Sequence, residues 1–198
     1  MRVDRSTLNA HHGALIAQAG RLFRRRGIEA VGVATISRAA GLTHGAFYGH
    51  FPSKAALAAA ACRQSLHAGA ARWRDLAAHA DRHHRDPLAA VIADYLSIRH
   101  RDAPEDGCAL ATLAPELGRD PDLRSALDEG TETLIDALRD LITARHPTLD
   151  EATRTRRACA VLAALIGGII VARATANDEY ADATLAAAAA MALHAADS

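Results

Sequence analysis

The sequence predicts an all-α protein, and three observations carry that prediction. Alanine, the best intrinsic helix former, supplies about a quarter of the 198 residues. β-Branched residues are sparse, and no stretch alternates apolar and polar residues over the length of a strand. Apolar positions instead recur at three- and four-residue spacing between proline and glycine breaks. Half of the residues are hydrophobic and only 4% are aromatic, with 23 basic against 23 acidic side chains, which is a globular composition and not a disordered one.

Leu15, Ala19, Leu22 and Phe23 share one face of a first helix that Gly27 closes, with Gln18, Arg21, Arg24 and Arg25 on the opposite face. A short second helix covers about 33–40 and ends at Gly41; a third, about 44–50, opens behind Thr43. Pro52-Ser53 breaks the chain, and Ser53 is placed to cap a long fourth helix through Leu57, Ala61 and Leu66 to Trp73. Asp86-Pro87 starts a fifth helix, to about Arg101, because proline suits a first turn. Between Asp102 and Asp122 the breaks at Pro104, Gly107, Pro115, Gly118 and Pro121 leave room for one short sixth helix, Cys108 to about Leu117. Asp120-Pro121 opens a seventh, with Leu127, Leu134 and Leu141 at seven-residue intervals, which Pro147 ends. An eighth runs over about 148–174 and a ninth over about 177–195. Each needs an apolar partner surface, so the body is expected to be a helical bundle. No uninterrupted apolar run approaches the roughly 18 residues of a membrane-spanning helix, so no membrane role is expected.

The zero net charge conceals an asymmetry. Residues 1–54 hold eight basic side chains against Asp4 and Glu29, a net +6, and the remainder is therefore net −6. A basic end on an acidic body is the pattern of a chain that meets a polyanion with one end only. Cys62, Cys108 and Cys159 form no C-x-x-C pair, which suggests a reducing compartment, and with no apolar leader at the N-terminus a cytoplasmic location is expected. His79 and His83 share a helix face, but nothing nearby completes a metal set. No metal, cofactor or catalytic constellation is expected.

The stretch that carries a function is Ile36-Ser-Arg-Ala-Ala-Gly41-Leu-Thr-His-Gly-Ala-Phe47-Tyr-Gly-His-Phe51. A helix-turn-helix needs a small residue in its first helix, a glycine four positions on and apolar residues behind it; Ser37, Gly41, Leu42 and Phe47 meet those demands. The outer face of the third helix then presents Thr43, His44, Ala46, Tyr48, Gly49 and His50, followed by Lys54. Hydroxyls, imidazoles, an ammonium and a helix N-terminus suit phosphate oxygens, and the Ala46 methyl suits a thymine methyl. No arginine or glutamine lies on this helix, so shape and apolar contacts carry much of the expected specificity.

The tract from Gly41 to Lys54 resembles the signature of the TetR/AcrR family of bacterial transcriptional repressors, and Leu15-Ile-Ala-Gln-Ala, Leu22-Phe23 and Gly27 resemble that family's first helix. The resemblance is strong over about 11–62 and elsewhere rests on length and helical character. It implies a DNA-binding head over 1–54, a ligand-binding and dimerisation body of about six helices over 55–198, and a homodimer on a near-palindromic operator. It gives the DNA-contacting roles to Thr43, His44, Tyr48, His50 and Lys54. Three departures weaken phosphate contacts: Gly32 in place of a hydroxyl residue, His11-His12 in place of an arginine, and His44 in place of a lysine. Arg2 and Arg5 are then expected to form an arm that reaches a minor groove.

For the body, Leu66, Trp73, Tyr95, Ile98, Leu113, Leu134 and Leu138 are candidates to line a cavity for a small-molecule inducer. The stretch from Gly107 and Cys108 to Leu117 resembles the corresponding region of family members that sense electrophiles or oxidants, such as the N-ethylmaleimide-responsive repressor, which makes Cys108 a candidate pocket residue and sensor thiol. Its helix N-terminus favours a thiolate, while Glu105 and Asp106 oppose it. The eighth helix is apolar nearly all round, and Leu162, Ile166, Gly167 and Ile170, with Ala187 and Met191 of the ninth, are the expected dimer face. The sequence thus reads as a ligand-responsive dimeric repressor. The rivals are a helical enzyme built on His100 and Cys108 and a non-specific architectural DNA binder, for which an acidic body is a poor credential.

Overall fold

The computed structural model describes residues 5–198, which form ten α-helices and no strand. In chain order these are α1 (Arg5–Arg26), α2 (Val33–Ala39), α3 (His44–Phe47), α4 (Lys54–Arg82), α5 (Pro87–Tyr95), α6 (Ile98–Asp102), α7 (Ala109–Leu117), α8 (Pro121–Arg145), α9 (Glu151–Ala174) and α10 (Asp178–Asp197). A 3-10 turn, Pro104–Asp106, lies between α6 and α7. Helices α1 to α3 make a head, and α4 crosses from it into a body in which α4 packs on α8 and α9 packs on α8 and α10. One apolar core is continuous from Leu15 and Phe23 in the head to Leu185 and Ala192 at the far side of the body.

The ends follow local chemistry. Ser53 Oγ accepts the Ala56 amide at 3.0 Å, and Asp86 Oδ1 accepts those of Leu88 and Ala89 at 2.9 and 3.1 Å with Pro87 in the first turn. Asp150 and Asn177 cap α9 and α10 in the same way. Four boundaries differ from the sequence expectation. The fifth helix is two, because the chain turns at Leu96-Ser97, where Ser97 Oγ accepts the His100 amide and opens α6. α4 runs nine residues past Trp73, since Ala77 and Ala80 extend its buried stripe. α3 is regular only to Phe47; beyond it the amides of Gly49 and His50 bond three residues back, a tighter last turn. Arg5 opens α1 and is helical, so no arm begins there, as expected once a helix is nucleated and extension costs little. Arg2 lies outside the described residues.

The expectation about membranes also needs correcting. Glu151–Ala174 is long and apolar enough to cross a membrane by length and composition, with a mean hydropathy of 1.8 over 18 residues. Counting uninterrupted runs missed it because Arg157 and Arg173 interrupt the ends. Here the helix is wedged between α8 and α10, and Val161, Leu165 and Ile169 are fully buried.

Candidate functional site

In the head, Gly41 turns the chain at φ +72°, a conformation that glycine adopts without strain, and the Leu42 amide returns to the Ser37 carbonyl at 2.8 Å. Ser37, Ile36 and Phe47 are buried between α2 and α3, and Phe51 closes the cluster. This leaves Thr43, His44, Tyr48 and Gly49 exposed on one side, with Ala46 and His50 half-buried beside them. Thr43 Oγ1 caps α3 by accepting the Ala46 amide, and Tyr48, 59% exposed, stands edge-on to Phe47 and His44. His11, His12 and His50 gather at the same face, His12 stacking on Phe51 with ring centres 4.5 Å apart. Burial first, then the neighbouring His12 and His11, holds the His50 imidazole below its ordinary pKa. Gly32 begins α2 with no side-chain cap. Lys54 is not free: its ammonium donates to the Ile28 carbonyl at 3.0 Å. Arg38, exposed in the last turn of α2, is a further cation of this head that the motif reading passed over.

Beneath the head lies a cavity of about 540 Å³ whose walls come from α1, α4, α5, α6, α8 and the segment before α7. Leu66, Trp73, Tyr95, Cys108 and Leu134 line it, as the sequence suggests. Three other candidates do not. Leu113 and Leu138 are buried in the core, and Ile98 is 53% exposed because the turn at Leu96-Ser97 points α6 outward. Trp73 and Tyr95 meet edge to face at 5.7 Å, and Tyr95 meets His100 at 4.5 Å. The Tyr95 hydroxyl is buried against the Cys108 thiol, and burial first, then that neighbour, raises its pKa.

The sequence reading missed the polar wall: Arg21, Arg24, Gln64, Ser65, Arg72, Asp94, Arg99, His100 and Asp106. Arg24 does not lie on a solvated face. Its Nε and Nη2 donate to the Glu105 carbonyl at 2.9 and 2.5 Å, and its Nη1 donates to Ser65 Oγ at 3.0 Å. Arg21 pairs with Asp106, and Arg72 and Arg99 share Asp94. His100 Nδ1 donates to the Tyr95 carbonyl at 2.6 Å, and its Nε2 accepts the Cys108 amide at 3.2 Å. That arrangement requires the neutral ring, and burial lowers its pKa accordingly. The imidazole lone pair therefore faces an amide and is not available to activate the Cys108 sulfur, which counts against the enzymatic reading of this pair. Cys108 is half-buried at the N-cap of α7; Cys62 is buried, which pushes its thiol up to about 12.

Three side chains tie this cavity to the head, Arg21 of α1 through its pair with Asp106 and two more. Arg24 belongs to α1 and grips the segment that leads into α7. At the other end of α7, Glu116 Oε2 accepts the Ile28 amide at 2.8 Å, in the turn between α1 and α2. α7 is thus held at its start by the cavity wall and at its end by the head.

The far side of α9 and α10 is smooth and uncovered. Gly167, Ile170, Ala187 and Met191 are exposed and Ile166 is half-buried, whereas Leu162 faces its own core at 5% exposure and does not belong to that surface. Cys159, Ala163, Val171 and Ala174 extend the stripe along α9 at helical spacing, as do Ala183, Ala186 and Ala190 on α10.

Residues 15–61 match the family model described as bacterial regulatory proteins, tetR family. Among solved structures, the reduced form of NemR from E. coli aligns over 90% of this chain and 94% of its own, with 21% identity and a TM-score of 0.73. A TetR-family transcriptional regulator from Cytophaga hutchinsonii aligns over 98% of both chains at 21% identity and a TM-score of 0.75. RolR in complex with resorcinol aligns over 98% of this chain and 95% of its own at 18% identity and a TM-score of 0.58. No curated protein matches by sequence. Residues 15–61 thus form a helix-turn-helix head of the kind the tetR family model describes, and the chain as a whole shares the fold of these regulators.

Proposed function

We propose that the protein is a cytoplasmic homodimeric repressor that binds a near-palindromic DNA operator through the exposed face of α3 and leaves it when a small molecule fills the cavity. The observation that carries the reading is that one cavity shares a wall with α1, while α7, which begins at that cavity, ends on the head through Glu116 and Ile28. A ligand shifts such an equilibrium only by binding one arrangement better than the other. Arg24 and Glu116 are where the two arrangements differ, and the readout is the separation of the two α3 helices in the dimer. The uncovered face of α9 and α10 is the surface for the second subunit: small side chains allow close approach, and Ile170 and Met191 supply apolar area. The crystallised complex of the structurally similar RolR with resorcinol supports an inducer of modest size.

Thr43, His44, Ala46, Tyr48, Gly49 and His50 are the proposed DNA contacts, with Arg2, Arg5 and Lys54 supplying charge at the edge. Cys108 is the proposed electrophile- or oxidant-responsive thiol of the cavity. Fluorescence anisotropy of a labelled operator, selected from random duplexes, tests the main reading: a small-molecule screen is expected to find compounds that release it from the wild type. Release that is unchanged in Glu116→Ala would refute the route through α7. Identical release of wild type and Cys108→Ser by every electrophile and oxidant tried would refute the sensor role alone.

A further inference from the structure

We propose that the cavity selects small organic anions, an acidic group on an apolar body, and that Arg24 receives the acid. This rests on the reading of the cavity as the inducer site. Four arginines line it, Arg21, Arg24, Arg72 and Arg99, against two carboxylates, Asp94 and Asp106. Asp106 is paired with Arg21. Asp94 is shared, Oδ1 lying 2.6 Å from both Arg72 Nη2 and Arg99 Nη2. One positive charge of that triad and the whole charge of Arg24 therefore have no carboxylate in contact. His100 adds nothing positive, because its hydrogen bonds hold it neutral.

Arg24 is the sharper of the two. It is half-buried, and its hydrogen bonds go to neutral oxygens, the Glu105 carbonyl and the Ser65 hydroxyl. Loss of water outweighs the attraction of Asp106 and lowers its pKa, the mark of a cation short of compensation. A guanidinium carries five N–H donors, so donors remain on Nη1 and Nη2 after these three bonds. Charge-assisted bonds are roughly twice as strong as neutral ones, so an oxyanion gains more here than an amide or alcohol of the same shape. Ile16, Leu66, Trp73 and Leu134 provide the apolar wall for the rest of the ligand. A cationic ligand would meet the same excess charge as repulsion.

The assignment joins recognition to output. An acid seated on the two remaining donors draws the guanidinium towards itself and away from the Glu105 carbonyl, which α1 holds in the segment leading to α7. The guanidinium that identifies the ligand is then one that also ties the head to that segment.

Trp73 is the only tryptophan of the chain and lines the cavity, so its fluorescence reports occupancy without DNA. The full-length protein is titrated at neutral pH with phenylbutyrate, its uncharged amide and the corresponding phenylbutylamine, to millimolar concentration. The acid is expected to bind about tenfold tighter than the amide, with the amine weakest. Arg24→Gln should bring acid and amide to parity, and Arg24→Lys should restore most of the difference. Equal binding of acid and amide by the wild type, tighter binding of the amine, or no response to any of the three overturns the anion assignment. An acid preference that survives in folded Arg24→Gln overturns the role of Arg24. The same probes added to the operator complex separate the two readings. Release by the amide but not the acid leaves an inducer site and removes the anion; quenching of Trp73 by the acid with unchanged DNA affinity leaves an anion site and removes its inducer role.

Discussion

Glu116 holds the joint between head and body, and His100 holds the cavity wall next to it. Replacing Glu116 by alanine leaves the partly buried Ile28 amide without its acceptor, and a loss of about 1 to 2 kcal/mol in urea unfolding is expected. His100 gives stability a pH dependence of definite sign. Because burial holds its pKa below the ordinary value, the unfolded chain protonates first; its contribution is complete above about pH 6.5 and is lost as the pH falls towards the folded value. The stability difference between wild type and His100→Gln should therefore shrink between about pH 7 and pH 5.5, and a difference that stays constant would contradict the neutral-ring assignment. The residues of the helix-turn-helix are legible in the sequence because their constraints are local: Gly41 must turn, Ser37 must be small, Thr43 must cap. Arg24 and Glu116 are not legible, because their partners stand 81 and 88 positions away and nothing in a run of three arginines marks which one turns inward.

The same distinction holds for whole helices. Ser53 and Asp86-Pro87 announce α4 and α5 because a cap is a property of three or four consecutive residues. The break between α5 and α6 carries no proline or glycine, and Ser97 is a weak sign until its hydroxyl is seen on the His100 amide. That break decides the site, since it sends Ile98 outward and turns His100 back to the Cys108 amide. The crossing of α4 on α8 has a requirement of its own. Gly130 lies against Leu66, so closely that an added methyl would collide with that fully buried side chain. Gly130→Ala should cost about 1 to 3 kcal/mol by overpacking, despite alanine's better helix propensity, and calorimetry would reveal the opposite sign if the helices can part. Leu66 also lines the cavity, so the variant should weaken phenylbutyrate binding as well.

For the molecule as a whole, the balance of 23 against 23 resolves into a basic first 54 residues and an acidic remainder, the distribution that the proposed head-first docking on DNA calls for. The fold class and the bundle are legible from composition and periodicity. The cavity is half legible, since its apolar side follows from helix stripes while its arginine wall depends on how α1, α4 and α6 converge. The proposed near-palindromic operator needs two heads, and therefore two subunits. Ile170→Glu together with Met191→Glu changes residues 41% and 65% exposed, so the subunit should stay folded by circular dichroism yet sediment as a monomer. Loss of the second half-site should weaken operator binding by at least about a hundredfold. The most direct test of the central claim is selection of sites by the full-length protein from random duplexes, followed by measurement of the subunits bound per site. A dimeric repressor should yield a near-palindrome with half-sites about one helical turn apart, two subunits for each, and affinity that falls with salt. Recovery of no common site, with equal affinity for selected and random DNA at fixed salt, would contradict it and leave a non-specific binder in its place.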